Sequence, residues 1–155
     1  MASSNQVAVA PWHSVYPPPR DAALKSITRE AVLQMMRDGE SVAAKDFLLI
    51  DLRRIDYEGG TIRGSINLPA QSLYPTIPTL YSLFKAAGLR NIIWYCSSSR
   101  GRGSRAAGWF RDYIDERGDN DMESVVLLEG IKGWATAGSE FVNWMDKYDA
   151  AFWAK

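Results

Sequence analysis

The sequence predicts a single α/β domain with a mostly parallel central sheet and helices on both faces. Three observations carry this. First, short continuous apolar runs, Phe47-Leu48-Leu49-Ile50, Ile92-Ile93-Trp94-Tyr95 and Val125-Val126-Leu127-Leu128, read as strands buried on both sides. Second, segments with apolar residues at helical spacing lie between them. Third, strand and helix alternate along 155 residues, a length that suits one domain with parallel strands joined by helical crossovers.

The elements follow in order. Residues 1–22 form an arm rich in proline and small polar residues, with Pro11 and Pro17-Pro18-Pro19. A disordered or loosely docked tail is expected there, with Trp12 and Tyr16 as the side chains able to pin it. Residues 23–155 form the domain. Thr28 can cap a helix that places Val32, Leu33 and Met36 on one face and stops at Gly39. The first strand ends at Asp51. Ser65-Ile66-Asn67-Leu68 is a short second strand closed by Pro69. A helix runs from about Pro78 through Leu80, Leu83 and Phe84 to Gly88. The third strand leads into Cys96, and the helix after it extends to about Arg117. The last helix starts near Ser139 and carries Phe141, Val142, Trp144, Met145 and Tyr148.

Composition narrows the function classes. Formal net charge is zero, which gives no bulk case for nucleic-acid or membrane binding, and no apolar run reaches the length of a membrane span. The start of the chain lacks the basic and apolar regions of a secretory signal. One cysteine excludes an internal disulfide framework and fits a reducing compartment, so the expected location is the cytoplasm, with the nucleus open. The single histidine, His13, falls in the arm and is a poor candidate for a buried general base. One cysteine and one distant histidine cannot make a zinc set, so no metal is expected.

Chemistry concentrates at Cys96. Ser97, Ser98, Ser99, Arg100 and Gly101 separate it from Arg102, between a buried strand and a helix start. A loop of small residues in that setting can turn its amides inward and cradle a tetrahedral oxyanion, aided by the helix dipole. A thiol at the floor of such a nest is a nucleophile candidate. Arg102 can clamp two oxygens through its planar fork, and Gly101 can supply an unusual backbone angle.

Leu49-Ile50-Asp51-Leu52-Arg53, Asp56-Tyr57-Glu58-Gly59-Gly60-Thr61-Ile62 and Gly64-Ser65-Ile66-Asn67-Leu68-Pro69 resemble the first signature of the rhodanese fold. Leu128-Glu129-Gly130-Ile131-Lys132-Gly133-Trp134, with Gly138, resembles the second. The cysteine loop lies between them, as in that family. Its seven residues, 96–102, exceed the usual six of a sulfurtransferase and are similar to the M-phase inducer dual-specificity phosphatases and the small eukaryotic arsenate reductases. The resemblance implies a single rhodanese-like domain that takes phosphate, arsenate or a similar oxyanion, with a phosphoprotein within its range. Cys96 would attack phosphorus and carry a phosphocysteine. In the arsenate branch glutathione and glutaredoxin would complete the reduction; no other cofactor is implied. Asp51, Arg53 and Glu58 are supporting residues: Asp51 anchors the loop base, Arg53 pairs with an acidic neighbour, and Glu58 is a candidate for the leaving-group proton.

The sequence also departs from the phosphatase pattern. Tyr95 stands where histidine is usual, Leu52 where a second cysteine is frequent, and Arg100 where glutamate is frequent. Tyr95 favours thiosulfate sulfur transfer, which the loop length opposes. The chain ends soon after its last helix, which suits a small anion or aryl phosphate better than a folded kinase partner. A catalytically silent interaction module is the remaining reading, opposed by the presence of both Cys96 and Arg102.

Overall fold

In the computed structural model, residues 10–20, 24–38 and 46–154 are described. Five parallel strands form the central sheet: β1 (Ser26–Ile27), β2 (Phe47–Asp51), β4 (Ile66–Asn67), β5 (Asn91–Tyr95) and β6 (Glu123–Leu127). Their spatial order is β1-β6-β5-β2-β4. In the central pair Leu49 lies opposite Ile93 and Asp51 opposite Tyr95. A separate antiparallel ribbon joins β3 (Thr61–Ile62) to β7 (Met145–Asp146).

Alternation along each strand sorts its side chains to two apolar layers. Leu48, Ile50, Ile92, Trp94 and Cys96 face α2 (Ile77–Ala86) and α3 (Arg102–Glu116), where they meet Phe84, Trp109, Phe110 and Ile114. Phe47, Leu49, Ile93 and Tyr95 face the other way, onto Val32 and Leu33 of α1 (Arg29–Arg37) and Ile131 and Trp134 of α4 (Gly130–Ala135). Cys96 therefore opens on the α3 side, while its neighbour Tyr95 is turned to the opposite face.

The expected helix cap is in place: Thr28 Oγ1 accepts the Ala31 amide at 3.1 Å. Gly39, the expected stop, lies outside the described residues. The second expected strand shortens to Ile66–Asn67, an exposed edge. The strand Ser26–Ile27 carries no alternation that a sequence can display over two residues.

The long last helix is corrected. The chain makes one turn, α5 (Ser139–Val142), then β7, then a further turn, α6 (Ala150–Trp153). Two competing hydrogen bonds break the helix. Trp134 Nε1 donates to the Phe141 carbonyl at 2.8 Å, and the Arg63 amide donates to the Trp144 carbonyl at 2.8 Å. The apolar residues that read as a helical face are divided between the turn and the ribbon.

Residues 11–20 are docked. A 3-10 turn, Trp12–Val15, sets Trp12 edge-on to Trp109, with ring centroids 6.1 Å apart. Tyr16 stacks on Tyr74 at 4.7 Å, and Trp109 Nε1 donates to the Pro17 carbonyl at 2.8 Å. Pro19 fits against Gly108, where a Cβ would stand 2.6 Å from its ring. Trp12 and Tyr16 make the pinning contacts, and residues 11–20 pack against the domain instead of extending from it.

Candidate active site

Cys96 follows the last residue of β5, so its sulfur sits beyond the carboxyl end of the central strand, where ligands of open parallel sheets bind. The side chain is only 3% exposed. Its Sγ accepts the amide of Ser99 at 3.2 Å and that of Gly103, in the first turn of α3, at 3.4 Å. The amides of Ser97, Ser98, Arg100, Gly101 and Arg102 donate to no acceptor among the described residues. Two amides are thus directed at the sulfur, one of them from the first turn of α3, and five more in the same loop are left without an acceptor among the described residues.

The loop is held from behind. The amides of Ile131 and Lys132 donate to the carbonyls of Cys96 and Ser97, each at 3.0 Å. With its carbonyls directed toward α4, the loop is free to present amides on its other side. Two left-handed residues, Glu129 (φ 68°) and Gly130 (φ 58°), bring α4 this close. A Cβ on Gly130 would lie 2.5 Å from the Cys96 carbonyl oxygen. Gly130→Ala is therefore expected to cost at least ~1–2 kcal/mol of stability and to displace the loop base. A urea titration alongside an activity assay checks this, and unchanged values of both would contradict it.

Arg102 turns its fork to Asp56: Nη1 donates to Oδ1 at 2.9 Å and Nη2 to Oδ2 at 2.6 Å. This pair holds the Asp56 carboxyl down at about 2. Asp56, and to a smaller degree the neighbouring Cys96, pushes the Arg102 guanidinium further into its charged range. A cavity of about 520 Å³ opens over these groups. Cys96, Ser98, Gly101, Arg102 and Asp56 are among the residues that line it. Arg54, Ile55, Gln71 and Arg105, with Trp12 and His13 from the arm, complete it.

The sequence model of the rhodanese-like domain matches residues 28–137. The chain belongs to the rhodanese-like domain family. It is 29% identical over 99 residues to arsenical-resistance protein 2 of Saccharomyces cerevisiae, a match spanning 59% of this chain and 76% of that protein. Among solved structures it is similar to a yeast protein tyrosine phosphatase of the rhodanese family. That match has a TM-score of 0.69 and 23% identity, and covers 83% of this chain and 96% of the other. The As–Sb reductase of Leishmania major superposes with a TM-score of 0.60 at 23% identity, over 69% of this chain and 72% of that one. At these identities the structural likeness carries the fold.

Within this rhodanese domain the residues singled out from sequence divide into three groups. Cys96, Ser98, Gly101 and Arg102 meet at the cavity, and Ser97 and Ser99 belong to the same loop. Gly101 has φ −115° and ψ −82°, outside the α and β regions, with open space at its Cβ position, and a left-handed angle falls on Ser99 (φ 62°). Arg100 does not line this cavity; it lines an adjoining groove with Arg29, Glu129 and Lys132, and Ser98 borders both.

Asp51 and Arg53 form a buried pair, with side chains 0% and 1% exposed; the Asp51 carboxylate bonds Arg53 and Thr61 and no residue of the 96–102 loop, so the expected anchoring of the loop base is corrected to anchoring of the segment that follows β2. Arg53 also donates to the carbonyls of Glu58 and Gly60, each at 2.8 Å, and so ties down the loop that carries Asp56. Glu58 contributes that carbonyl and does not line the cavity. Tyr95 bonds Thr61 and Ser65 at 2.8 and 2.6 Å on the far side of the sheet, where burial and the nearby Asp51 push its phenol up. It therefore cannot stand in for a residue beside the thiol.

Of the eleven cavity residues the sequence reading places only Cys96, Ser98, Gly101 and Arg102 at the site; among the others, Asp56 and His13 bear most on the chemistry. Asp56 was quoted only within the first signature, with no signal that set it above Glu58. His13 was set aside as an arm residue, yet the docked arm brings it to the cavity wall. The aromatic residues Trp12 and Tyr16 on either side of it were the available hint.

Proposed function

We propose that this protein is a cysteine-dependent phosphatase of the M-phase inducer type, acting on a phosphate monoester through a phosphocysteine. The observation that carries this reading is the position of Cys96 Sγ beneath two donated amides, inside a loop with five further amides open. An incoming phosphoryl group would take those donors and draw Arg102 from Asp56 to two of its oxygens, a bidentate contact that a carboxylate already occupies in the resting site. Donors fixed in advance around developing charge are often the largest catalytic contribution.

Arsenate reduction is the second reading, favoured by the 29% identical relative named for arsenical resistance. Arsenate matches phosphate in charge and shape and fits the same loop. With Cys96 the only cysteine, the two electrons would come from external thiols, glutathione with glutaredoxin.

Purified protein assayed on p-nitrophenyl phosphate, on glutathione- and glutaredoxin-coupled arsenate reduction, and on thiosulfate-to-cyanide transfer separates these readings. Ester hydrolysis is expected, with little sulfur transfer. Arsenate reduction without ester hydrolysis would install the second reading, and sulfur transfer alone would overturn both. Arg102→Lys is expected to lower the rate on the accepted substrate by at least ~10-fold, because a point charge cannot reproduce a planar fork. An unchanged rate would mean that Arg102 does not meet the anion.

A further inference from the structure

We propose that His13, delivered by the N-terminal arm, is the proton donor to the leaving group of the phosphate ester. The inference rests on the phosphatase reading above.

When the Cys96 thiolate attacks phosphorus, the S–P bond forms, the ester P–O bond breaks, and its electron pair stays on the leaving oxygen. That oxygen needs a proton unless the alcohol is strongly acidic. Few groups on the cavity wall can supply one. The charged groups there are Arg54, Asp56, Arg102 and Arg105. Arginines do not release protons near neutrality. Asp56 is held as a carboxylate by both nitrogens of the Arg102 fork. Glu58, the sequence-based candidate, does not reach the cavity. Histidine is the residue type that both gives and takes protons near neutral pH, and His13 lines this cavity.

Its placement is built by contacts that the chemistry itself does not require. Trp12 is held by Trp109 and by the Arg105 guanidinium 5.8 Å above its ring, and His13 meets the Trp12 ring edge-on at 5.3 Å. The same wall contains Gln71, whose Oε1 is buried without a hydrogen-bond partner among the described residues. Proton transfer from the His13 imidazolium releases the neutral alcohol and leaves a neutral imidazole. Water then attacks phosphorus, its proton passes to that imidazole, the S–P bond breaks, and phosphate leaves with Cys96 again a thiolate.

The test compares kcat/KM, which reports steps up to leaving-group departure, for p-nitrophenyl phosphate and phenyl phosphate. It uses full-length wild type, His13→Asn and His13→Ala, with thermal melts to confirm folding. Phenolate is the more basic leaving group and depends more on protonation. Both substrates are expected to slow, with phenyl phosphate losing at least ~10-fold more than the nitro compound. Added imidazole is expected to restore part of the His13→Ala loss. Equal losses on the two substrates, or no loss on either, would overturn the assignment. A wild type that hydrolyses neither ester removes the phosphatase reading and this inference with it, an outcome distinct from either variant result.

Discussion

Cys96→Ser is expected to lower turnover by at least ~10³-fold on whichever substrate the wild type accepts, while the fold is retained. A serine hydroxyl ionises far less readily than a thiol, and the groups that meet Sγ here, the Ser99 and Gly103 amides, are donors and not bases. Yet Oγ can accept the same two amides, from Ser99 and Gly103, that Sγ accepts in the wild type. Stability and activity should therefore separate cleanly. Initial rates measured beside matched thermal melts check this, and a variant that keeps a tenth of the wild-type rate would exclude the sulfur as nucleophile.

The second large effect is on stability. Asp51→Ala is expected to cost about 3–5 kcal/mol, the range for stripping one partner from a buried ion pair. Asp51 accepts the Arg53 Nη2 at 2.8 Å, its Nε at 3.0 Å and its backbone amide at 3.1 Å, and the Thr61 hydroxyl at 2.8 Å. Removing the carboxylate leaves a guanidinium in a site that is 1% exposed. Set against a typical total stability of roughly 5–15 kcal/mol, a loss of this size moves the protein close to unfolding at room temperature. The urea midpoint reads it. Replacing both partners with apolar residues of similar volume should recover much of the loss, because the penalty belongs to the unpaired charge. A shift under ~1 kcal/mol for Asp51→Ala would contradict the pair's anchoring role. Catalysis is coupled to this pair through structure: Arg53 fastens the carbonyls of Glu58 and Gly60, and the segment it fastens carries Asp56.

The central strands were legible because burial on both faces leaves a continuous apolar run of about strand length, as in Phe47-Leu48-Leu49-Ile50. The opposite orientations of Tyr95 and Cys96 follow from strand alternation alone. The two-residue strands Thr61–Ile62 and Met145–Asp146 are too short to show a period. The last helix failed because Phe141, Trp144 and Met145 satisfy helical spacing while their backbone finds better partners in Trp134 and Arg63.

The strand–loop–arginine unit of the site is local in sequence, so it could be read directly. Its other half is assembled by contacts distant in the chain. Arg102 and Asp56 are 46 residues apart, and the arm reaches Trp109 from 92 residues away. No local pattern encodes those meetings, and the packing of the arm on Trp109 brings His13 to the cavity. The adjoining groove that Arg100 lines likewise depends on α4, which packs behind the loop.

The decisive measurement is a crystal structure of the protein soaked with phosphate or tungstate. The anion is expected within the 96–102 loop, its oxygens accepting the amides of Ser97, Ser98, Arg100, Gly101 and Arg102, with the Arg102 fork transferred from Asp56 to two of those oxygens. An empty loop at saturating anion, with Arg102 still bonded to both carboxylate oxygens of Asp56, would contradict oxyanion chemistry at this site.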